Sequence, residues 1–80
     1  MQRLAIELTD HEGALLRLLG TAERRGWRAV NVNAERRRGR MNVDLTVRGD
    51  GSVDLLRRQL ERLHDVLGVR PVGVRLEVSA

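Results

Sequence analysis

The sequence predicts an α+β domain with the element order β-α-β-β-α-β. Three observations carry that prediction. Four segments alternate apolar and polar residues with a period of two, two others place leucines at helical spacing, and glycine-containing turns stand where the period changes. Both helical segments serve as crossovers, and right-handed connections put them on one face of a four-stranded antiparallel sheet. This is the ferredoxin-like arrangement.

The first strand comes from Leu4, Ile6 and Leu8, which alternate with Arg3, Ala5 and Glu7. A helix follows in which Leu15, Leu18, Leu19 and Ala22 share one side while Arg17, Glu23 and Arg24 take the other. It should stop at Gly26, which suits a left-handed C′ position, with Trp27 folding back on Ala22. From Arg28 the period returns to two: Val30, Val32 and Ala34 alternate with Asn31, Asn33 and Glu35. Arg37-Arg38-Gly39 reads as a hairpin tip, because glycine supplies the positive φ of a tight hairpin.

Met41, Val43, Leu45 and Val47 alternate with Asn42, Asp44, Thr46 and Arg48 in the third strand. After the turn at Gly49-Asp50-Gly51, Ser52 is a good N-cap, and Asp54 complements the positive first turn of a second helix. That helix is expected to run to about His64 and to bury Val53, Leu56, Leu60 and Leu63. A final strand carrying Val72, Val74, Leu76 and Val78 closes the pattern, and Pro71 at its start marks an edge. The sheet face away from the helices then gathers Arg3, Glu7, Asn31, Asn33, Asp44, Thr46, Arg75 and Glu77, a polar and wet surface.

Eighty residues without a linker or internal repeat make one domain, spanning 1–80. A chain of this size hides only about 60% of its unfolded surface, so association with a partner is expected. Cysteine is absent, which excludes a disulfide framework, a thiolate nucleophile and cysteine-ligated metal. No apolar run approaches the roughly 20 residues that span a bilayer. Met1-Gln2-Arg3 leads straight into a strand pattern, so a cytoplasmic protein is expected. The net charge is +4, and all 15 basic residues are arginine. Most are interspersed with acids, as on a solvated surface. The dense cluster Arg36-Arg37-Arg38-Gly39-Arg40 fits an exposed hairpin tip better than a phosphate-binding stripe, which spreads along a face.

Ferredoxin-like sheets host unrelated activities, so residues must decide function. RNA-recognition domains stack bases on aromatic side chains, and this chain has no Phe, no Tyr and one Trp. Metal-transfer domains need a Cys-x-x-Cys loop. Asp10-His11-Glu12 could pass for a ligand cluster, but three adjacent loop residues rarely share one centre, and no second cluster completes them. A solvated polar loop is expected, with no metal and no catalytic residue. His64 is expected to serve a helix C-terminus.

Gly13 stands in the first turn of the first helix, where glycine is costly. Either the turn demands it, or something approaches its backbone. The segment "LTDHEGALLRLLGTAERRGWRAVNVN" resembles the start of the ACT domain in acetolactate synthase small subunits. "MNVDLTV" and "SVDLLRRQLERLHDVLGV" are similar to the third strand and second helix of the short, single-domain version of that subunit. The resemblance implies a non-catalytic regulatory subunit in branched-chain amino-acid biosynthesis, activating a catalytic (large) subunit that carries thiamine diphosphate, Mg and FAD. No cofactor is implied for this chain.

ACT domains of this kind pair side by side, and small amino acids bind at the seam. The resemblance therefore implies an effector site at Asp10, His11, Glu12, Gly13, Ala14, Leu15 and Arg28. It also implies a homodimer interface through Leu16, Leu19, Val30, Asn31, Val32 and Asn33. A helix N-terminus offers free N–H groups to an α-carboxylate, and Gly13 lacks a Cβ. Valine-sensitive members usually carry asparagine at the positions of Asp10 and Arg28. Ionised Asp10 only accepts hydrogen bonds. It would repel a carboxylate, cap the helix amides itself or pair with Arg28, so weak or absent valine feedback is expected. The alternatives are an amino-acid-sensing ACT module of another system and, more distantly, a basic nucleic-acid-binding module.

Overall fold

A computed structural model describes residues 1–73 of the chain. The elements are β1 (Gln2–Thr9), α1 (Ala14–Arg24), β2 (Arg28–Arg37), β3 (Arg40–Arg48), α2 (Val53–Glu61) and β4 (Val66–Val72). The strands form one antiparallel sheet in the order β2-β3-β1-β4, the ferredoxin-like topology. Alternation sets which way each strand faces: Leu4, Ile6 and Leu8 of β1 lie opposite Leu45, Val43 and Met41 of β3, and all six are buried. Ala14, Leu18 and Ala22 of α1 and Leu56 and Leu60 of α2 cover this apolar face. Leu15, Leu19, Val53 and Leu63 pack at its rim, half-buried.

Local chemistry terminates the elements as their residues dictate. At the end of α1, Gly26 adopts φ 90°. The Trp27 N–H donates to Ala22 O and the Gly26 N–H to Glu23 O, both at 3.0 Å, the paired bonds of a Schellman motif. Trp27, only 4% exposed, thereby turns into the core. Arg38 (φ 52°) and Gly39 (φ 79°) are both left-handed and form a two-residue hairpin tip of the kind that matches strand twist. Ser52 caps α2, its side chain accepting from the Leu55 N–H at 3.3 Å.

Three features depart from the sequence reading or add to it. First, α2 ends at Glu61 rather than near His64. Tight bonds from Leu63 N to Leu60 O and from Val66 N to Leu63 O replace its last turn, so β4 begins at Val66. Pro71 therefore lies near the end of an edge strand instead of at its start. Second, the β2–β3 pairing passes from Ala29↔Val47 to Asn31↔Thr46, leaving Val30 as the extra residue of a bulge. Third, every residue of β2 is exposed, Val30, Val32 and Ala34 included. Val74, Leu76 and Val78, assigned to the last strand, and Arg75 and Glu77, assigned to the open face, lie outside the described residues.

Candidate functional site

The loop at residues 10–13 joins β1 to α1 beside the β2–β3 hairpin tip. Its backbone is tied down when the Asp10 N–H donates to Gly39 O at 2.9 Å. Gly13 occupies the N-cap position with φ 79°, a left-handed conformation that L side chains resist. The Ala14 N–H donates to His11 O at 3.0 Å, and no side chain caps the helix. The Leu15 and Leu16 amides of the first turn are thus left without a capping side chain and can meet an anion. A shallow groove over them is lined by Asp10, His11, Glu12, Gly13, Ala14 and Leu15, together with Leu16, Arg36 and Met41. The six loop and helix residues expected at an effector site therefore share one groove.

Arg28 is not among them. It lies opposite Arg48, eight residues along β2 from Arg36 and so about 26 Å away at strand rise. Within one chain it cannot pair with Asp10. That carboxylate accepts instead from Arg36 Nε at 3.1 Å, and it does not cap α1. Position on the hairpin, not a sequence motif, selects Arg36: the tight tip folds it back beside the loop.

Behind the groove lies a polar cluster around Asp65, whose side chain is 2% exposed. Arg17 Nε donates to Asp65 Oδ2 at 2.7 Å, and Arg17 Nη2 donates to Glu12 O at 3.1 Å. Asp65 Oδ1 lies 3.3 Å from His11 Nδ1 and 3.5 Å from His64 Nε2. Thr9 reinforces the join, its N–H donating to Asp65 O at 2.9 Å. The Arg17 hydrogen bond holds the Asp65 carboxyl below the usual carboxylate range, against the opposing effect of burial, with a further bond to His11 helping. The same bond raises the Arg17 guanidinium.

This cluster corrects two expectations. His11 does acquire distant companions, in His64 and Asp65, and His64 turns to Asp65 after α2 has already ended. Arg17 and Asp65 escape a reading of periodicity because each sits on what looks like a solvent side. Only the join of β1 to the α2–β4 turn brings them together.

The surfaces flanking the groove differ in character. Leu16 is 74% exposed, and Val30 and Val32 on the edge strand β2 are 48% and 37% exposed. Leu19 is half-buried, while Asn31 and Asn33 are exposed opposite Thr46 and Asp44. On the open sheet face, Arg3 donates from Nε and Nη2 to Asp44 at 2.9 and 2.6 Å, and Arg40 pairs with Glu7 at 2.9 Å. No helix among the described residues is long and apolar enough to cross a membrane.

Comparison with known proteins places this geometry. No curated protein matches the sequence. In structure, the chain is similar to the ACT domain from GTP pyrophosphokinase of Chlorobium tepidum, with TM-score 0.76 and 14% identity over 89% of this chain and 95% of that one. It is also similar to the acetolactate synthase small subunit from Thermotoga maritima, with TM-score 0.81 and 18% identity over 95% of this chain. It spans 49% of that subunit. At such identities the likeness concerns the fold. The family is shown by a sequence profile of the ACT domain that matches residues 10–69, and the chain accordingly belongs to the ACT-domain family.

Proposed function

We propose that this ACT domain is the non-catalytic regulatory subunit of an acetolactate synthase, acting in the cytoplasm in branched-chain amino-acid biosynthesis. The observation that carries the reading is the exposure of Leu16 at the α1 groove and of Val30 and Val32 on the edge strand β2. Exposed leucine and valine, with a strand whose outer edge is free, offer a surface suited to another chain. Family membership and the resemblance of the second helix segment point the same way.

In this reading β2 and α1 make a homodimer, and the dimer prefers the active conformation of the catalytic subunit, raising activity by differential affinity. Thiamine diphosphate, magnesium and flavin belong to that subunit. Any small amino-acid effector enters the groove at the α1 N-terminus, and the Asp10–Arg36 pair disfavours valine. The dimer would bring the partner chain's β2 to this groove, which is the way Arg28 of a second copy could join it.

The test mixes the chain with the large subunit from the same cell and follows acetolactate formation, co-purification and mass in solution. A severalfold rise in activity, a stable complex and a dimer that Val32→Glu disrupts are expected. No stimulation and no complex would overturn the reading. Stimulation failing while serine, leucine or isoleucine raises Tm would assign the domain to an amino-acid-sensing system of another kind. Salt-dependent binding of nucleic acid lost on neutralising Arg36, Arg37, Arg38 and Arg40 would assign it to the third class.

A further inference from the structure

We propose that His11 Nδ1, His64 Nε2 and Asp65 Oδ1 form a binding site for a divalent transition metal such as zinc, joining the β1–α1 loop to the α2–β4 turn. One ligand atom from each of the three residues lies within 4.8 Å of the other two. Tetrahedral zinc with bonds of about 2.0 to 2.1 Å sets its ligand atoms about 3.3 Å apart. The carboxylate already meets that spacing, at 3.3 Å to His11 Nδ1 and 3.5 Å to His64 Nε2. Both imidazoles are largely exposed, with side chains 62% and 81% accessible, so each is free to rotate the short way needed to close on an ion. Asp65, by contrast, is buried and fixed.

Its orientation is set from behind. Arg17 holds Oδ2 at 2.7 Å and leaves Oδ1 directed at the two rings. A ligating carboxylate is ordinarily hydrogen-bonded through its second oxygen in this way. The positive charge of Arg17 opposes any cation, so the site needs ligands with strong intrinsic preference. Two imidazoles and one carboxylate suit zinc, nickel or copper and do not suit magnesium or calcium, which require more oxygen ligands. Three protein ligands leave room for water at the fourth position.

A bound ion would fasten His11 to the α2–β4 turn. His11 itself lines the α1 groove, so the metal would order that wall of the groove. This consequence holds whichever partner the domain regulates.

The experiment uses the tag-free full chain, stripped with a chelator, and titrates ZnCl2 while recording heat and Tm. Saturable binding of one zinc per chain is expected, with a rise in Tm that EDTA reverses and that MgCl2 does not reproduce. His11→Ala and His64→Ala alter exposed side chains, so both variants should fold, and each should weaken zinc binding at least tenfold. CoCl2 should give the intense visible bands of a four- or five-coordinate ion. Absence of saturable zinc binding, binding by either variant as tight as the parent's, or a cobalt spectrum like that of the hydrated ion would overturn the proposal.

Discussion

The Arg17 guanidinium lies over Gly13: a Cβ built on the glycine would stand 3.0 Å from Arg17 Nη1, while Arg17 Nε reaches Asp65 Oδ2 at 2.7 Å. Glycine is thus needed here for its left-handed backbone, and the arginine passes close over it on the way to a buried acid.

Gly13→Ala should therefore destabilise the domain by about 1 to 2 kcal/mol, the cost of placing an L side chain at a left-handed φ. The guanidinium, at the end of a flexible side chain, can shift by a few tenths of an ångström at little further cost. Gly13→Asn should lose less, since asparagine tolerates this conformation. Urea unfolding followed by Trp27 fluorescence measures both. Equal stability of Gly13→Ala and the parent would refute the account.

Trp27 gives a sharper contrast. A Cβ on Gly49 would stand 2.7 Å from Cε3 and 2.8 Å from Cδ2 of the indole, whereas one on Gly51 would stand 3.6 Å from Cζ2. The indole is buried and rigid, so Gly49→Ala should cost about 1 to 3 kcal/mol through overpacking. Gly51→Ala makes an ordinary contact and should change stability little. Chemical denaturation of the two variants side by side decides it, and similar values for both would contradict the packing.

These two cases also show why some of the structure is legible in the sequence. Element order follows from periodicity: Leu4, Ile6 and Leu8 lie where alternation places them, and Gly26 ends α1 with the two bonds its position requires. Such features depend on residues close together in the chain. Asp10 to Leu15 share one groove because they follow one another in the chain. Arg36, Arg17 and Asp65 are not legible, because each partner arrives from another element: Arg36 by hairpin folding, and Asp65 across 48 residues from Arg17. The bulge at Val30 is hidden too, since one unpaired residue does not disturb a short alternating pattern. α2 ends at Glu61 although Leu60 and Leu63 keep helical spacing, and Asp65, just beyond, bonds to Arg17 of another element.

Asp65 predicts the response to acid. Its carboxyl titrates below the ordinary value of 3.8 in the folded chain, so near and below that pH the unfolded chain binds more protons. The stabilisation is fully present above pH 3.8 and is lost as pH falls through the lower folded value. Arg17, His11 and His64 face the same carboxylate, and in EDTA no metal competes for it. Asp44 and Asp54 titrate low as well, but both are exposed, and such pairs add little. Thermal melts in EDTA should show Asp65→Asn less stable than the parent at neutral pH, with a smaller further loss below pH 4. Parallel curves for the two proteins would show that Asp65 is not the group responsible.

Asp10→Asn probes the groove itself. The Asp10 carboxylate occupies Arg36 Nε at 3.1 Å and places negative charge beside the open amides of α1. An α-carboxylate entering there meets a like charge and finds the nearest guanidinium already engaged. The amide variant removes that charge, frees Arg36 and restores a side chain able to donate as well as accept. Valine affinity should rise about tenfold, equivalent to about 1.4 kcal/mol, which is modest for one charge removed from a half-wet site. Adding Arg36→Gln to the variant should cancel most of the gain if the freed guanidinium supplies it. Thermal shift and calorimetric titration with valine across the parent, the single and the double variant measure the effect. Strong valine binding by the parent, or no gain in Asp10→Asn, would show that the Asp10–Arg36 pair does not control this groove.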